Sequence, residues 1–152
     1  MFQYLFKTWE QALPSAYQIR YQVFVLEQNI SVNLEIDEYD SKARHLILLF
    51  NEQAIGTARI FLDHTEVMGN FKIGRLAILQ EFRGQGLGKK MMGHLIQYAE
   101  ENFYQRITLH AQINALSFYE KLGFIADPNK FYEDGVLHQK CTLVPIQRLS
   151  MK

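Results

Sequence analysis

Apolar and polar positions along the chain alternate between two periods. From Phe2 to Trp9 the alternation is the two-residue kind and predicts a first strand. Pro14 then stands where a helix can begin, since its missing N–H would be unpaired there anyway. Ala16, Ile19, Val23 and Leu26 follow at helical spacing. Between Gln28 and Lys42 the periodicity fades and acidic residues accumulate, which predicts a long acidic loop. His45–Phe50 is an unbroken apolar run, Asn51-Glu52-Gln53 are turn residues, and Ala54–Leu62 is β-rich, together a hairpin. After a polar connection, Phe71–Leu79 reads as a central strand, and Leu87, Met91, Leu95, Tyr98 and Ala99 form a helical stripe. Ile107–Ala111 is a buried strand. Ala115, Phe118, Tyr119 and Leu122 mark a short helix with Gly123 placed to end it. Asp127-Pro128-Asn129 and Glu133-Asp134-Gly135 read as turns around Lys130–Tyr132, before a last strand over Val136–Val144. The pattern is α+β, hairpins first and a strand–helix–strand unit in the middle.

Composition narrows the picture. The chain has 152 residues with a 48% hydrophobic fraction, enough for one core, so a single domain over residues 1–152 is expected. Lys and Arg number 16 against 16 Asp and Glu, so no field of one sign is available to draw the protein onto nucleic acid or an anionic membrane. Cys141 is the single cysteine and has no internal partner for a disulfide. No basic leader and no long apolar window occurs, and the expectation is a soluble, cytoplasmic protein, monomer or homodimer, without a metal.

The most informative stretch is Arg83-Gly84-Gln85-Gly86-Leu87-Gly88-Lys89, between a strand and a helix. Glycines let backbone approach an anion, and the first N–H groups of a helix lack internal partners. A phosphate or pyrophosphate is the natural ligand, with Arg83 and Lys89 as supporting cations. Coenzyme A, a nucleotide or a sugar phosphate would each fit. The stretch lacks the Gly-Lys-Ser/Thr of a Walker loop and the glycine spacing of a Rossmann loop.

Arg83-x-x-Gly86-x-Gly88 after a strand resembles the acyl-CoA loop of the GNAT N-acetyltransferase superfamily. The run Ala115-Leu116-Ser117-Phe118-Tyr119-Glu120-Lys121-Leu122-Gly123-Phe124 is similar to that superfamily's second signature. The resemblance extends to the ElaA-like branch through Arg20-x-x-Val23-Phe24-Val25-x-Glu27-Gln28, Asp37, Asp40, Arg44-His45, Ile73-Gly74-Arg75 and Glu133-Asp134-Gly135. It implies an α+β (α/β) fold: a twisted mixed sheet of about six to seven strands with about four helices, splayed centrally to hold CoA. It also implies acetyl-CoA as co-substrate. Backbone at Ala77, Ile78 and Leu79 would pair with the pantetheine arm, and residues 83–89, including Gln85 and Leu87, would hold the pyrophosphate. Gln112 stands where many members have Asn, and Asn114 lies nearby; either amide could meet the cofactor.

The implied reaction is transfer of an acetyl group to a primary amine by direct attack, with Tyr119 serving the departing thiolate. Glu35, Asp37, His45, His110 and His138 are each candidates to collect the amine's proton. Glu35, Asp37 and Asp40 form an acidic patch suited to a cationic amine. Arg20, Arg59 and Arg75 sit in apolar or β-like stretches, where an unpaired guanidinium is costly, so partners among Glu27, Asp37 and Asp40 are expected. Arg20, Glu27, Asp37, Asp40, His45 and Arg75 are thus candidates for the acceptor site, for a small amine or a peptide. Two other readings remain open: a CoA-binding or sensing module without turnover, and an acyltransferase resembling acyl-homoserine-lactone synthases.

Overall fold

The computed structural model describes residues 1–32, 36–65 and 67–145. Its strands are β1 (Phe2–Lys7), β2 (Arg44–Phe50), β3 (Gln53–Leu62), β4 (Asn70–Ile78), β5 (Arg106–Gln112), β6 (Ile125–Glu133) and β7 (Val136–Leu143). Its α-helices are α1 (Trp9–Arg20), α2 (Leu87–Glu101) and α3 (Leu116–Lys121). The strands order as β1-β2-β3-β4-β5-β7-β6 in a seven-stranded sheet, so β4 is central, as its apolar character predicts. Among the described residues three α-helices stand in place of about four, with a π-helical segment after α1 and short 3-10 turns at Asp40–Lys42, Gln80–Phe82 and Ile113–Ala115. Among the described residues no helix is long and apolar enough to cross a membrane.

The described chain forms two compact units, Met1–Phe61 with Ile73–Gln97, and Leu62–Lys72 with the chain from Tyr98 on. In the first, β2 pairs antiparallel with both β1 and β3. His45, Leu46, Ile47 and Leu48 are all buried, which explains an apolar run without alternation. Asn51 and Glu52 both take left-handed backbone, φ 48° and 71°, as the twist of a two-residue hairpin requires.

α1 starts earlier than the proline suggests. The Thr8 hydroxyl accepts from the Gln11 N–H at 3.4 Å and Gln11 Oε1 accepts from the Thr8 N–H at 3.1 Å, a capping box that sets the first turn. Pro14 therefore lies inside the helix. Ala12 and Ala16 are sealed against Ile47, with Trp9 alongside. From Tyr21 to Glu27 the backbone widens into a π-helical segment that still buries Val23 and Phe24 but turns Leu26 outward, 56% exposed.

In the second unit, β7 pairs antiparallel with β5 and β6. β6 is one strand where the turn signal at Asp127-Pro128-Asn129 suggests a break. The register shifts between Ala126 and Lys130, and the Asn129 N–H bonds to Asp127 Oδ1 at 3.1 Å, so the turn residues form a bulge. Pro128 is tolerated because β6 is an edge strand.

α3 ends as its glycine predicts. The Gly123 N–H bonds to the Glu120 carbonyl at 3.0 Å and the Phe124 N–H to the Tyr119 carbonyl at 3.2 Å, with Gly123 at φ 101°. These are the two bonds of a Schellman cap, and the Tyr119 and Phe124 rings, 6.1 Å apart, supply its apolar contact.

Replacing Thr8 by Ala removes the α1 cap and is expected to cost about 1 kcal/mol in chemical denaturation; an unchanged midpoint would mean that the helix start is held by packing alone.

Candidate functional site

The glycine loop exits β4 and enters α2. Gly84 and Gly86 have φ of 84° and 82°, and a Cβ built on either meets nothing within 4 Å. The glycines are thus required by backbone conformation, and the space above them is open. The first bond inside α2 runs from the Lys90 N–H to the Gly86 carbonyl at 3.3 Å, which leaves the N–H groups of Leu87, Gly88 and Lys89 ahead of the helical ladder. The Lys89 side chain is exposed. Gln85 folds back, its amide donating to the Phe82 carbonyl at 3.1 Å.

Arg83 is not a free cation for this loop. Its guanidinium forks onto Glu27 at 2.6 and 2.8 Å, and its Nε donates to the Ile78 carbonyl at 2.8 Å. The hydrogen bond from Arg83 holds the Glu27 carboxyl below its usual range despite some desolvation. Arg83 therefore braces the loop against the π-helical segment. Along the predicted pantetheine edge, Ala77 is buried and the Leu79 N–H is taken by the Ile55 carbonyl at 2.9 Å. Leu79 also lines a groove of about 440 Å³ with Gln18, Tyr21, Gln22, Gln53 and Ala54 among its walls.

The same unit contains a buried ion network. Arg20 binds Asp40 in a fork at 2.8 and 3.1 Å. Arg59 reaches both oxygens of Asp37, at 2.6 and 2.9 Å, and Asp40 at 3.0 Å. Arg75 donates to Asp37 at 3.1 Å. The three arginines expected to need partners thus share two aspartates, while Glu27 goes to Arg83. Arg75 takes φ 55° in the middle of β4, a left-handed conformation costing a non-glycine residue about 1–2 kcal/mol, and its ion pair lies at that kink. Burial pushes the Asp40 carboxyl up, but the Arg20 hydrogen bonds and the charges of Arg20 and Arg59 outweigh it and hold Asp40 low. At Asp37 burial is likewise outweighed, by the Arg59 hydrogen bonds and the charges of Arg59 and Arg75.

Arg20, Asp40 and His45 are sealed from solvent, so in this conformation they hold the loop from beneath; Asp37 and Arg75 are the members with accessible surface. His45 packs against Trp9 with the rings tilted, centroids 4.9 Å apart, and its Nε2 is 2.9 Å from the Asp40 carbonyl. A carbonyl only accepts, so Nε2 carries a hydrogen. Burial depresses the His45 pKa, partly offset by that bond. Glu35 lies outside the described residues.

In the second unit, Tyr119 is half-buried on α3. Burial first, and the charge of Cys141 second, push its phenol far up, so it stays protonated at all working pH. The Cys141 thiol is buried and raised to about 11, which makes it an inert packing residue. Gln112 ends β5, and Asn114 is exposed in the turn that follows. His110 and Glu133 meet at 2.8 Å. Glu133, legible in the sequence as a turn residue and within the resemblance at Glu133-Asp134-Gly135, is brought to His110 by the register of β6 on β7. Among the described residues no cluster of His, Cys, Asp and Glu is placed to hold a metal ion.

Breaking the network by Asp40→Asn leaves buried guanidinium charge uncompensated and is expected to destabilise by about 3–5 kcal/mol in denaturant. Both aspartates ionise at lower pH folded than unfolded. Their contribution is therefore complete above about pH 4 and lost as pH falls through the folded-state pKa. His45 adds an earlier loss below about pH 6.5, where the unfolded chain binds a proton that the fold refuses. Midpoints measured against pH should fall in acid, less steeply in the acid limb for Asp40→Asn; a flat profile would contradict the network's role.

Residues 10–144 match the family model described as an acetyltransferase (GNAT) domain. The chain is 35% identical over 135 residues to the uncharacterized protein YyaT of Bacillus subtilis, covering 86% of this chain and 88% of that protein. An acyl-CoA N-acyltransferase from Pseudomonas aeruginosa superposes with a TM-score of 0.81 at 27% identity, over 93% of this chain and 99% of that one. Escherichia coli ElaA superposes with a TM-score of 0.82 at 26% identity, again over 93% and 99%. With the glycine loop leading into α2 and the capped Tyr119 helix both present, the chain belongs to the GNAT acetyltransferase family, in its ElaA-like branch.

Proposed function

We propose that the protein transfers an acetyl group from acetyl-CoA to a primary amine of a small molecule or peptide by direct attack on the thioester. The observation that carries this reading is the pair Gly84 and Gly86, held left-handed beneath open space and followed by three N–H groups ahead of the α2 ladder. Such a cradle suits a pyrophosphate, because backbone donors and the helix dipole both favour negative charge there. Lys89 adds a solvent-exposed cation, whereas Arg83 is neutralised by Glu27 and serves as a brace. Ile78, whose carbonyl engages Arg83, and Ala77 mark the strand edge proposed for the pantetheine arm, with Gln112 and Asn114 as amide candidates.

Tyr119 is proposed for the leaving group. A phenol kept protonated by its surroundings can donate to sulfur as the carbon–sulfur bond breaks, where negative charge develops. Asp37 and Arg75, the accessible end of the ion network, are proposed to shape the acceptor side, on the sealed support of Arg20, Asp40, Arg59 and His45.

The test is thiol release from acetyl-CoA with a panel of primary amines, alongside calorimetric binding of acetyl-CoA. Gly86→Ala has room for its methyl group but strains a left-handed backbone and intrudes on the cradle, so acetyl-CoA should bind about tenfold more weakly. Tyr119→Phe should lower kcat about 100-fold while leaving acetyl-CoA affinity unchanged. Binding of acetyl-CoA without acceleration by any amine would favour a binding module over an enzyme.

A further inference from the structure

The π-helical segment Tyr21–Glu27 follows α1 without a break and is fastened at both of its ends. At the near end Arg20, the last residue of α1, forks onto Asp40 at 2.8 and 3.1 Å, and both side chains are sealed from solvent. At the far end Glu27 takes the fork of Arg83 at 2.6 and 2.8 Å, with 35% and 38% of the two side chains exposed. One end thus holds the acidic loop that carries Asp37 and Asp40, and the other holds the glycine loop between β4 and α2. All of these residues belong to the first unit.

Between the two ion pairs the segment is a stiff connector. The chain leaving it folds straight back: the Gln28 N–H bonds to the Val23 carbonyl at 3.2 Å, the Asn29 N–H to the Val25 carbonyl at 3.1 Å, and the Ile30 N–H to the Phe24 carbonyl at 2.8 Å. Asn29 takes left-handed backbone, φ 60°, which asparagine tolerates better than most residues. Val23, Phe24 and Ile30 are buried, so neither end can move far without disturbing close-packed neighbours. A π-helical turn is rare and concentrates at functional sites. Here it leaves Leu26 and Glu27 outside the buried stripe that begins at Ala16 and Ile19, with the carboxylate on Arg83.

Arg83 passes the constraint to the glycine loop. Its Nε donates to the Ile78 carbonyl at 2.8 Å while its two terminal nitrogens sit on Glu27, so the side chain is fixed at two points. Gly84 follows directly, at φ 84°, and Gly86 at φ 82° opens α2. A glycine visits left-handed and right-handed backbone with nearly equal ease, so the glycines permit the form that presents the α2 amides without enforcing it. What holds their neighbours selects that form.

We propose that Glu27 is a positioning residue: through Arg83 it keeps the glycine loop in its anion-binding form, and through the π-helical segment it makes the acidic loop at Asp37 and Asp40 respond to whether the donor is bound. This rests on the acetyl-transfer reading above. A loop that occupies its binding form for only a fraction of the time binds more weakly by that fraction. Donor binding in turn favours the closed fork, because such linkage is reciprocal. The exposed fork is the end able to open, since a pair so placed adds little to global stability, whereas opening Arg20–Asp40 would strip two buried charges. Glu27, grouped by resemblance with the acceptor-site residues, thereby acts on the donor side.

The experiment measures acetyl-CoA binding to the full chain by calorimetry, and backbone amide exchange with and without saturating acetyl-CoA. Glu27→Gln should bind acetyl-CoA about fivefold more weakly with its denaturation midpoint nearly unchanged. Arg83→Gln should lose at least as much, and the double variant no more than Arg83→Gln alone, because both residues act through one pair. In the wild type, acetyl-CoA should slow exchange of the Asp40 and Ala43 N–H groups, which bond to the Asp37 and Tyr39 carbonyls at 3.3 and 3.1 Å; in Glu27→Gln that slowing should vanish even at saturation, a change that a merely structural role would not produce. Tighter binding by Glu27→Gln would mean that Glu27 competes with the donor for Arg83, and additive losses would mean that it acts without Arg83. Unchanged exchange at Asp40 and Ala43 in the wild type would remove the link to the acidic loop. Each of these overturns the assignment while donor binding stands. A wild type that gives no heat with acetyl-CoA would instead overturn the acetyl-transfer reading, and the link with it.

Discussion

The sharing of two aspartates among three arginines is the constraint on which the first unit depends. Asp37 and Asp40 lie on an irregular segment with little apolar surface of its own, while Arg20, Arg59 and Arg75 come from α1, β3 and β4. Each guanidinium would be ruinous to bury alone, and each aspartate would pull the loop into water if unpaired. Together they fasten the loop across three elements. The geometry is directional: Asp37 accepts from Arg59 through both oxygens, and the Asp37 N–H in turn caps Asp40 at 3.1 Å. Aromatic faces close the arrangement, with Tyr39 and Phe61 stacked 5.0 Å apart and the Arg59 guanidinium 5.5 Å from the Phe61 centroid.

The glycine loop works by the opposite logic. Its backbone donors are left without internal partners, and the glycines hold side chains away from them. Arg83, the residue whose charge first suggests anion binding, is instead spent on Glu27 and the Ile78 carbonyl. In the proposed reading an anion would be held by amides and dipole rather than by that side chain, and the loop's shape rests on an ion pair with the π-helical segment. In the second unit a similar economy applies. The Schellman cap that ends α3 also sets the backbone of Tyr119, so one short signature serves both the helix stop and the side chain it presents.

Much of this was legible in the chain itself, because the signals involved are local. The hairpin at Asn51-Glu52, the α2 stripe, the stop at Gly123 and the glycine loop each arise from residues within a few positions of one another. So did the expectation that Arg20, Arg59 and Arg75 must find acids, since the cost of burying charge is independent of the partner. The start of α1 differs from the one Pro14 suggests for a local reason too: Pro14 is a weaker signal than the Thr8–Gln11 capping box, whose bonds define the first turn.

What the tertiary structure alone decided is who meets whom. No spacing rule could assign Glu27 to Arg83, 56 residues away, or separate a sealed His45 from an accessible His110. The pairing of His110 with Glu133 depends on the register of three strands and on a bulge at Pro128, and a one-residue slip would turn either side chain to the opposite face. Local propensity and burial cost thus determined the elements and the kind of partner each charge required. Long-range register and packing, which one sequence does not encode in any nearby pattern, determined the partner itself.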